Sequence, residues 1–259
     1  MIMNIFVFLI GSIVGSFLNV CICRLPKGES IVMPPSHCPH CAKRIKWYDN
    51  IPILSFIILK RRCRFCREKI SFRYFLVEVI TASLTLALFM AFGLTATFFV
   101  YAIFVSGLIV ATFVDFEIQE IPDEVTLFGI ALGLILSVVF PDAFGKGSRW
   151  HSLLNSSLGM LIGALSIYLM GFLGELVFKK EAMGGGDVKL LAMIGSFLGW
   201  KAALLTFFIA PVFGSVVGII LKIKDGREII PYGPYLSLAA LVAIFCGERI
   251  LSVLSYGLY

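Results

Sequence analysis

Asp187 lies in the stretch Met183-Gly184-Gly185-Gly186-Asp187-Val188-Lys189, between the apolar runs Leu153–Phe178 and Leu190–Ala210. An ionised carboxylate at the edge of a bilayer costs several kcal/mol unless something uses it. Gly184, Gly185 and Gly186 let a second backbone come close to that carboxylate. A plain glycine loop with a solvated aspartate would read the same way, so a partner must decide. Asp115 is that candidate: it follows the apolar run Leu108–Val114 and opens a short acidic segment ending at Ile121-Pro122-Asp123. Two carboxylates sharing a site do not both ionise easily. One keeps a proton and the other acts as base on a water, which is peptide hydrolysis without a metal or a covalent intermediate. Glu117, Glu120 and Asp123 read as a solvated acidic cap, with Asp123 as the N-cap of the helix that follows. Lys189 stands where it could steady a carboxylate or position a substrate, and equally where an interface lysine snorkels.

A second constellation is built from cysteine. Cys38-Pro39-His40-Cys41 and Cys63-Arg64-Phe65-Cys66 are two C-x-x-C pairs with 21 residues between them. Each pair turns two thiolates toward one metal, and two such turns complete a closed tetrahedral Zn2+ site of structural type. Disulfides and thiol–disulfide catalysis are the competing readings, and both want an oxidising face. His37 and His40 read as bystanders, and Cys21, Cys23 and Cys246 as buried thiols.

The elements that must position these residues are membrane helices. The chain is 59% hydrophobic and only 15% charged, with a mean hydropathy of +0.97, whereas about a quarter of a soluble domain is charged. This predicts an all-α polytopic membrane protein with eight apolar spans, at 2–22, 74–93, 95–114, 124–140, 152–178, 188–200, 202–222 and 235–255. Met1–Cys23 lacks the basic start and cleavage site of a removable signal and reads as the first span. The net charge of +6 reports topology rather than nucleic acid, because twelve of the 22 Lys and Arg fall between Arg24 and Arg73. Basic loops stay cytoplasmic. Alternating the spans from there puts the N-terminus outside, with eighteen basic residues inside and four outside. The expected domains are the first helix (1–22), a cytoplasmic tetracysteine domain (23–73) too poor in apolar residues to fold without a staple, and a membrane domain (74–259). Gly159 and Gly163 suit close helix packing, and Asn19 an interhelical hydrogen bond. Glu78 is expected to pair with a basic neighbour. No internal repeat is evident, and no dinucleotide-type glycine fingerprint locates a methyl-donor site.

Taken together, these residues resemble the aspartic prepilin peptidases. The resemblance is carried by Asp115 with Ile121-Pro122-Asp123, by the G-x-G-D element at Gly184–Asp187 with Lys189, by Gly15-Ser16-Phe17-Leu18-Asn19-Val20 with Arg24-Leu25-Pro26, by the Cys38/Cys41 pair, and by Pro231-Tyr232-Gly233-Pro234. The G-x-G-D element is shared with presenilin-type intramembrane proteases. The resemblance covers nearly the whole chain. It implies an inner-membrane endopeptidase, in a bacterium, that removes the basic leader of type IV prepilins or type II secretion pseudopilins at the cytoplasmic face. It also implies N-methylation of the new N-terminus with S-adenosylmethionine, peptidase activity alone being the alternative. It further implies catalytic aspartates at Asp115 and Asp187 and a tetracysteine zinc site at Cys38, Cys41, Cys63 and Cys66. The expected partners are the pilin substrates and the lipid bilayer, with no nucleic acid. A metal-handling transporter, which should show inverted repeats or helices broken at the midplane, and a structural assembly protein are the rival readings.

Overall fold

The structure is a computed structural model; it describes residues 1–145, 148–179, 183–225 and 231–256. Lys146, Lys180 and Arg227, which enter the charge asymmetry above, lie outside the described residues. The chain divides into two compact units, Met1–Phe98 and Phe99–Tyr259. Among the described residues there is no strand beyond two isolated bridges.

Unit 1 is an antiparallel pair of long helices, α1 (Ile2–Arg24) and, after a loop holding the short α2 (Leu54–Ile58), α3 (Phe72–Phe92). Glycines set the spacing of the pair. A Cβ on Gly11 would stand 2.8 Å from the Ala82 Cα, and one on Gly15 2.8 Å from the Glu78 Cα. Four-residue spacing puts both glycines on one face, so the backbones meet without side chains between them. Asn19 makes the expected interhelical bond, its Nδ2 donating to the Tyr74 carbonyl at 3.0 Å. Glu78 departs from expectation. Among the described residues it pairs with no cation but accepts the Ile53 N–H at 2.7 Å, so it fastens the loop to α3. Arg24 fastens the other end, donating to the carbonyls of Ser30 at 2.8 Å and Pro34 at 2.6 Å.

The loop carries a repeat that the residue types hide. The Cys38 N–H donates to the Lys43 carbonyl and the Ala42 N–H to Cys38. Twenty-five positions later, the Cys63 N–H donates to Glu68 and the Arg67 N–H to Cys63. Ile45 bonds back to Ser36 as Ile70 does to Arg61, the bridges His37–Arg44 and Arg62–Lys69 correspond, and Ala42 and Arg67 share a positive φ, 54° and 62°. The expectation of no internal repeat is thus corrected: two copies of one turn face each other. Beyond the turn geometry the copies share the cysteines and the closing isoleucine, Ile45 and Ile70.

Unit 2 contains α4 (Ala96–Ile118), α5 (Asp123–Val139), α6 (Arg149–Phe178), α7 (Gly185–Asp225) and α8 (Gly233–Tyr256). Among the described residues six helices are long and apolar enough to cross a membrane, against eight expected spans. Two features account for the difference. The 17 residues of α5 give about 25 Å at 1.5 Å per residue, short of a bilayer's hydrocarbon. The 41-residue α7 is broken at Gly199 (φ 79°, ψ 173°) and contains two expected spans. Its Gly186 lies against Ile121, its Gly199 against Asn155, and its Gly214 against Tyr235 and Tyr232. Asn155 itself bonds the Phe144 carbonyl, at the opposite end from Ile121. The chain therefore reverses at Gly199, as the split between 188–200 and 202–222 anticipates.

The core of unit 2 lies where α6 and the first half of α7 touch backbone to backbone. A Cβ on Gly159 would stand 2.1 Å from the Gly195 carbonyl oxygen, and Ser156 Oγ donates to the Ser196 carbonyl at 2.6 Å. Phe104 stacks on Phe197 at 4.7 Å, with Leu108, Leu190, Ile194 and Leu236 buried around them. Of the three other cysteines, Cys21 is buried, Cys23 half-buried and Cys246 exposed on the surface of α8. The expectation that all three are buried therefore holds for Cys21 alone.

Candidate active site

Three segments of unit 2 converge at one end of its helices. The first is the end of α4. Asp115 lies in the last turn and is 5% exposed, while Phe116 through Glu120 are exposed, so Glu117 and Glu120 occupy the solvated positions foreseen for them. Gln119, at φ 57°, ends the helix by returning its N–H to the Asp115 carbonyl at 3.0 Å. Pro122, not Asp123, is the N-cap of α5, and no side chain caps it. Proline has the extended backbone a cap needs and no N–H to satisfy. Asp123 is left free to turn outward, where it receives Lys189 Nζ at 2.6 and 2.8 Å.

The second segment is the glycine stretch. α7 begins at Gly185, so Asp187 sits in its first turn, with its N–H donating to the Gly184 carbonyl at 3.1 Å. A Cβ on Gly186 would press Ile121 Cβ at 3.1 Å, one on Gly184 would rest 3.6 Å from Asp187 Oδ2, and one on Gly185 would meet nothing within 4 Å. Gly186 is thus needed for packing, while Gly184 and Gly185 line open backbone beside the carboxylate. Lys189, two residues on, is held by Asp123 across the start of α5.

The third segment, Pro231-Tyr232-Gly233-Pro234, enters the sequence reading only through resemblance. Its Gly233 N–H donates to Asp115 Oδ2 at 2.9 Å. A Cβ there would meet that same oxygen at 2.8 Å and Ile121 Cδ1 at 3.1 Å. The Tyr232 hydroxyl is buried with no hydrogen-bond partner among the described residues. Burial and the charge of Asp187 push it up to about 12. Asp115 and Asp187 also act on each other electrostatically. Ile121 is the spacer common to all three segments. Two prolines around a glycine at the start of a span were the only signal of this segment in the sequence.

The cysteine site is separate, within unit 1. The Sγ atoms of Cys38, Cys41, Cys63 and Cys66 lie within 4.8 Å of one another, and those of Cys38 and Cys66 are 3.8 Å apart. A Zn–S bond of about 2.3 Å in a tetrahedron calls for an S···S edge of about 3.8 Å, so the donor set fits. The backbone N–H groups of Cys66 and Phe65 favour the Cys63 thiolate and bring it down to about 7. Cys66 also has a favourable amide, from Glu68, but desolvation and crowding by Cys63, Cys41 and Cys38 push it up to about 11. Four thiols this close could together hold a metal cation. Beside them Arg64 Nε grips Asp49 at 2.8 and 3.0 Å.

Residues 9–92 match the bacterial peptidase A24 N-terminal domain, and residues 102–219 match the type IV leader peptidase family. A prepilin leader peptidase/N-methyltransferase of Myxococcus xanthus is 40% identical over 226 residues, 86% of this chain and 64% of the relative's length. One of Pseudomonas putida is 33% identical over 266 residues, 93% of this chain and 90% of its own. A type 4 prepilin-like proteins leader peptide-processing enzyme of Escherichia coli is 36% identical over 253 residues, 91% of each. No solved structure matches the chain.

Proposed function

Because the chain belongs to the type IV leader peptidase family, we propose that it is a membrane aspartic endopeptidase that cuts the basic leader from type IV prepilins or pseudopilins, with Asp115 and Asp187 as its catalytic pair. The observation that carries this reading is the convergence of the two carboxylates, from the end of α4 and the first turn of α7, beside the open backbone of Gly184 and Gly185. An extended peptide can approach there, whereas a helical one hides its scissile bond, so the substrate must unwind locally.

The ionised carboxylate takes a proton from a water as the water oxygen attacks the carbonyl carbon. The protonated carboxylate hydrogen-bonds to the oxyanion of the resulting tetrahedral intermediate and then delivers its proton to the leaving nitrogen. The C–N bond breaks, a carboxylic acid and an amine are released, and the pair has exchanged which member holds the proton. Asp115 has its Oδ2 engaged by Gly233, which leaves Oδ1 for this exchange.

The pair sits at the same end of unit 2 as Lys179, Lys189, Lys222 and Lys224, and Arg149, Lys201 and Arg249 occupy the other. The positive-inside rule makes the catalytic end cytoplasmic, with the N-terminus outside. A basic leader would stay in the cytoplasm and the apolar part of the pilin in the bilayer, which fixes the cut at the boundary. The tetracysteine site would hold a structural Zn2+ that staples the loop.

Methylation of the new N-terminus is the second step, in line with the names of the relatives. S-adenosylmethionine would supply an electrophilic methyl group to the amine that the cut creates. Within unit 1 the acceptor groups suited to a cationic donor or amine are the buried Glu78 carboxylate and Asn19 Oδ1, which lacks a hydrogen-bond partner among the described residues. Intact-mass analysis of a prepilin incubated with the enzyme, with and without S-adenosylmethionine, tests both steps. Loss of the leader mass is expected in both samples, and the further gain of one methyl only with the donor. An intact prepilin would refute the peptidase, and an unmethylated product at saturating donor would leave a peptidase alone.

A further inference from the structure

We infer that Gly233 is the positioning residue for Asp115: the backbone N–H at the start of α8 holds Oδ2, and the absent side chain leaves that oxygen its place. This rests on the peptidase reading. It starts from the N–H groups that open every helix without an intrahelical partner. At α8 they can be accounted for one by one. Pro234 has no N–H. The Tyr235 and Leu236 N–H groups both donate to the Tyr232 carbonyl, at 3.1 and 3.2 Å. Gly233 N–H donates to Asp115 Oδ2 at 2.9 Å. The cap of α8 is therefore not a neighbouring serine or aspartate but a carboxylate 118 positions earlier in the chain. A carboxylate at a helix N-terminus is also favoured by the helix dipole.

The same contact leaves little room for a side chain. A Cβ would lie 2.8 Å from Asp115 Oδ2 and 3.1 Å from Ile121 Cδ1, and Ile121 itself lies close to the backbone of Gly186. An alanine at 233 must therefore displace the carboxylate or the spacer that separates the three segments. Gly233 touches neither water nor peptide. It acts through Asp115, by fixing which oxygen faces the reaction.

The test is steady-state cleavage of a prepilin peptide by the full chain carrying Gly233→Ala. Turnover is expected to fall at least tenfold while KM stays within twofold, because the open backbone of Gly184 and Gly185 is not altered. Adding Ile121→Val removes the Cδ1 that crowds the new methyl and is expected to restore kcat several-fold without a matching change in thermal midpoint. A purely structural glycine would instead move kcat and midpoint together. If Gly233→Ala does not fold, NMR of the otherwise unaltered chain labelled with 15N-glycine reports the same bond. The Gly233 amide proton is expected downfield, to stay downfield in Asp115→Asn, whose amide oxygen still accepts, and to move upfield in Asp115→Ala. A Gly233 amide unaffected by Asp115→Ala would overturn the inference. An active wild type with unchanged turnover in Gly233→Ala would overturn it alone, whereas a wild type that cleaves no prepilin would overturn the peptidase reading and this one with it.

Discussion

The cysteine loop of unit 1 and the aspartate pair of unit 2 each gather polar side chains from distant points of the chain, by opposite means. In the loop the four thiols come from two copies of one short turn, and little apolar packing surrounds them. A metal cation held by the four sulfurs would tie the two turns together. In unit 2 the two carboxylates arrive on long helices already fixed by backbone contacts such as Gly159 with Gly195, and the last adjustment is one N–H from Gly233. The first site would be completed by a bound cation, whereas the second is held by the protein's own backbone. A site that performs chemistry gains from the second arrangement, because its groups need not reorganise during the reaction.

The largest effect that would break this contrast lies at the pair. Asp115→Asn and Asp187→Asn keep shape and remove acid–base function. Each is expected to abolish cleavage, a loss of at least about a thousandfold, with the double variant no worse than either single one. Residual turnover near wild type in folded Asp115→Asn would refute the pair, and Asp123 would be the next partner to test. Next comes the loop. Cys38→Ser or Cys63→Ser is expected to abolish stoichiometric zinc, read by elemental analysis, and to open the loop to protease, since structural zinc contributes on the order of 10 kcal/mol to folding such modules. Cleavage should survive better than methylation. Equal loss of both would show that the two sites are not organised independently.

Smaller again is the helix contact in unit 2. Gly159→Ala puts a methyl against a carbonyl that cannot yield, and a destabilisation of about 1–3 kcal/mol is expected from such overpacking, read as a lower thermal midpoint with zinc content unchanged. The smallest effect sharpens the picture of the loop. Arg64 holds the Asp49 carboxylate below the usual range, so their pairing stabilises the folded form above the unfolded value of about 3.9 and is lost as pH falls through the lower folded value. Asp49→Asn should therefore be slightly less stable than wild type at pH 7, and the gap should close as pH falls below about 4. A gap that widened in acid would reverse the assignment.

What could be read from the residues alone follows the same division. The spans were legible because apolar composition and length are local properties, and the two aspartates because a carboxylate between apolar runs stands out against its surroundings. The cysteine turns were legible from spacing, but not their repetition, which resides in backbone hydrogen bonds that many side chains can dress. The reversal within α7 was visible as two spans, yet its cause at Gly199 is a single backbone angle. Three placements depended on which distant group arrives. Asp123 looked like a helix cap and is instead the partner of Lys189, Glu78 looked for a cation and found an N–H, and Cys246 faces outward. Gly233 was hidden most deeply, because its role is a contact across 118 positions made by an atom that every residue but proline possesses.

The bond from Gly233 to Asp115 also has a bearing on when the protein becomes a protease during its synthesis. A growing chain that has emerged as far as Lys189 already owns both aspartates, the glycines and the cysteine loop, but Asp115 then lacks the Gly233 donor. On the role inferred for Gly233, such a chain would cut prepilin more slowly than one in which α8 has been made, and the completion of the molecule would raise its activity.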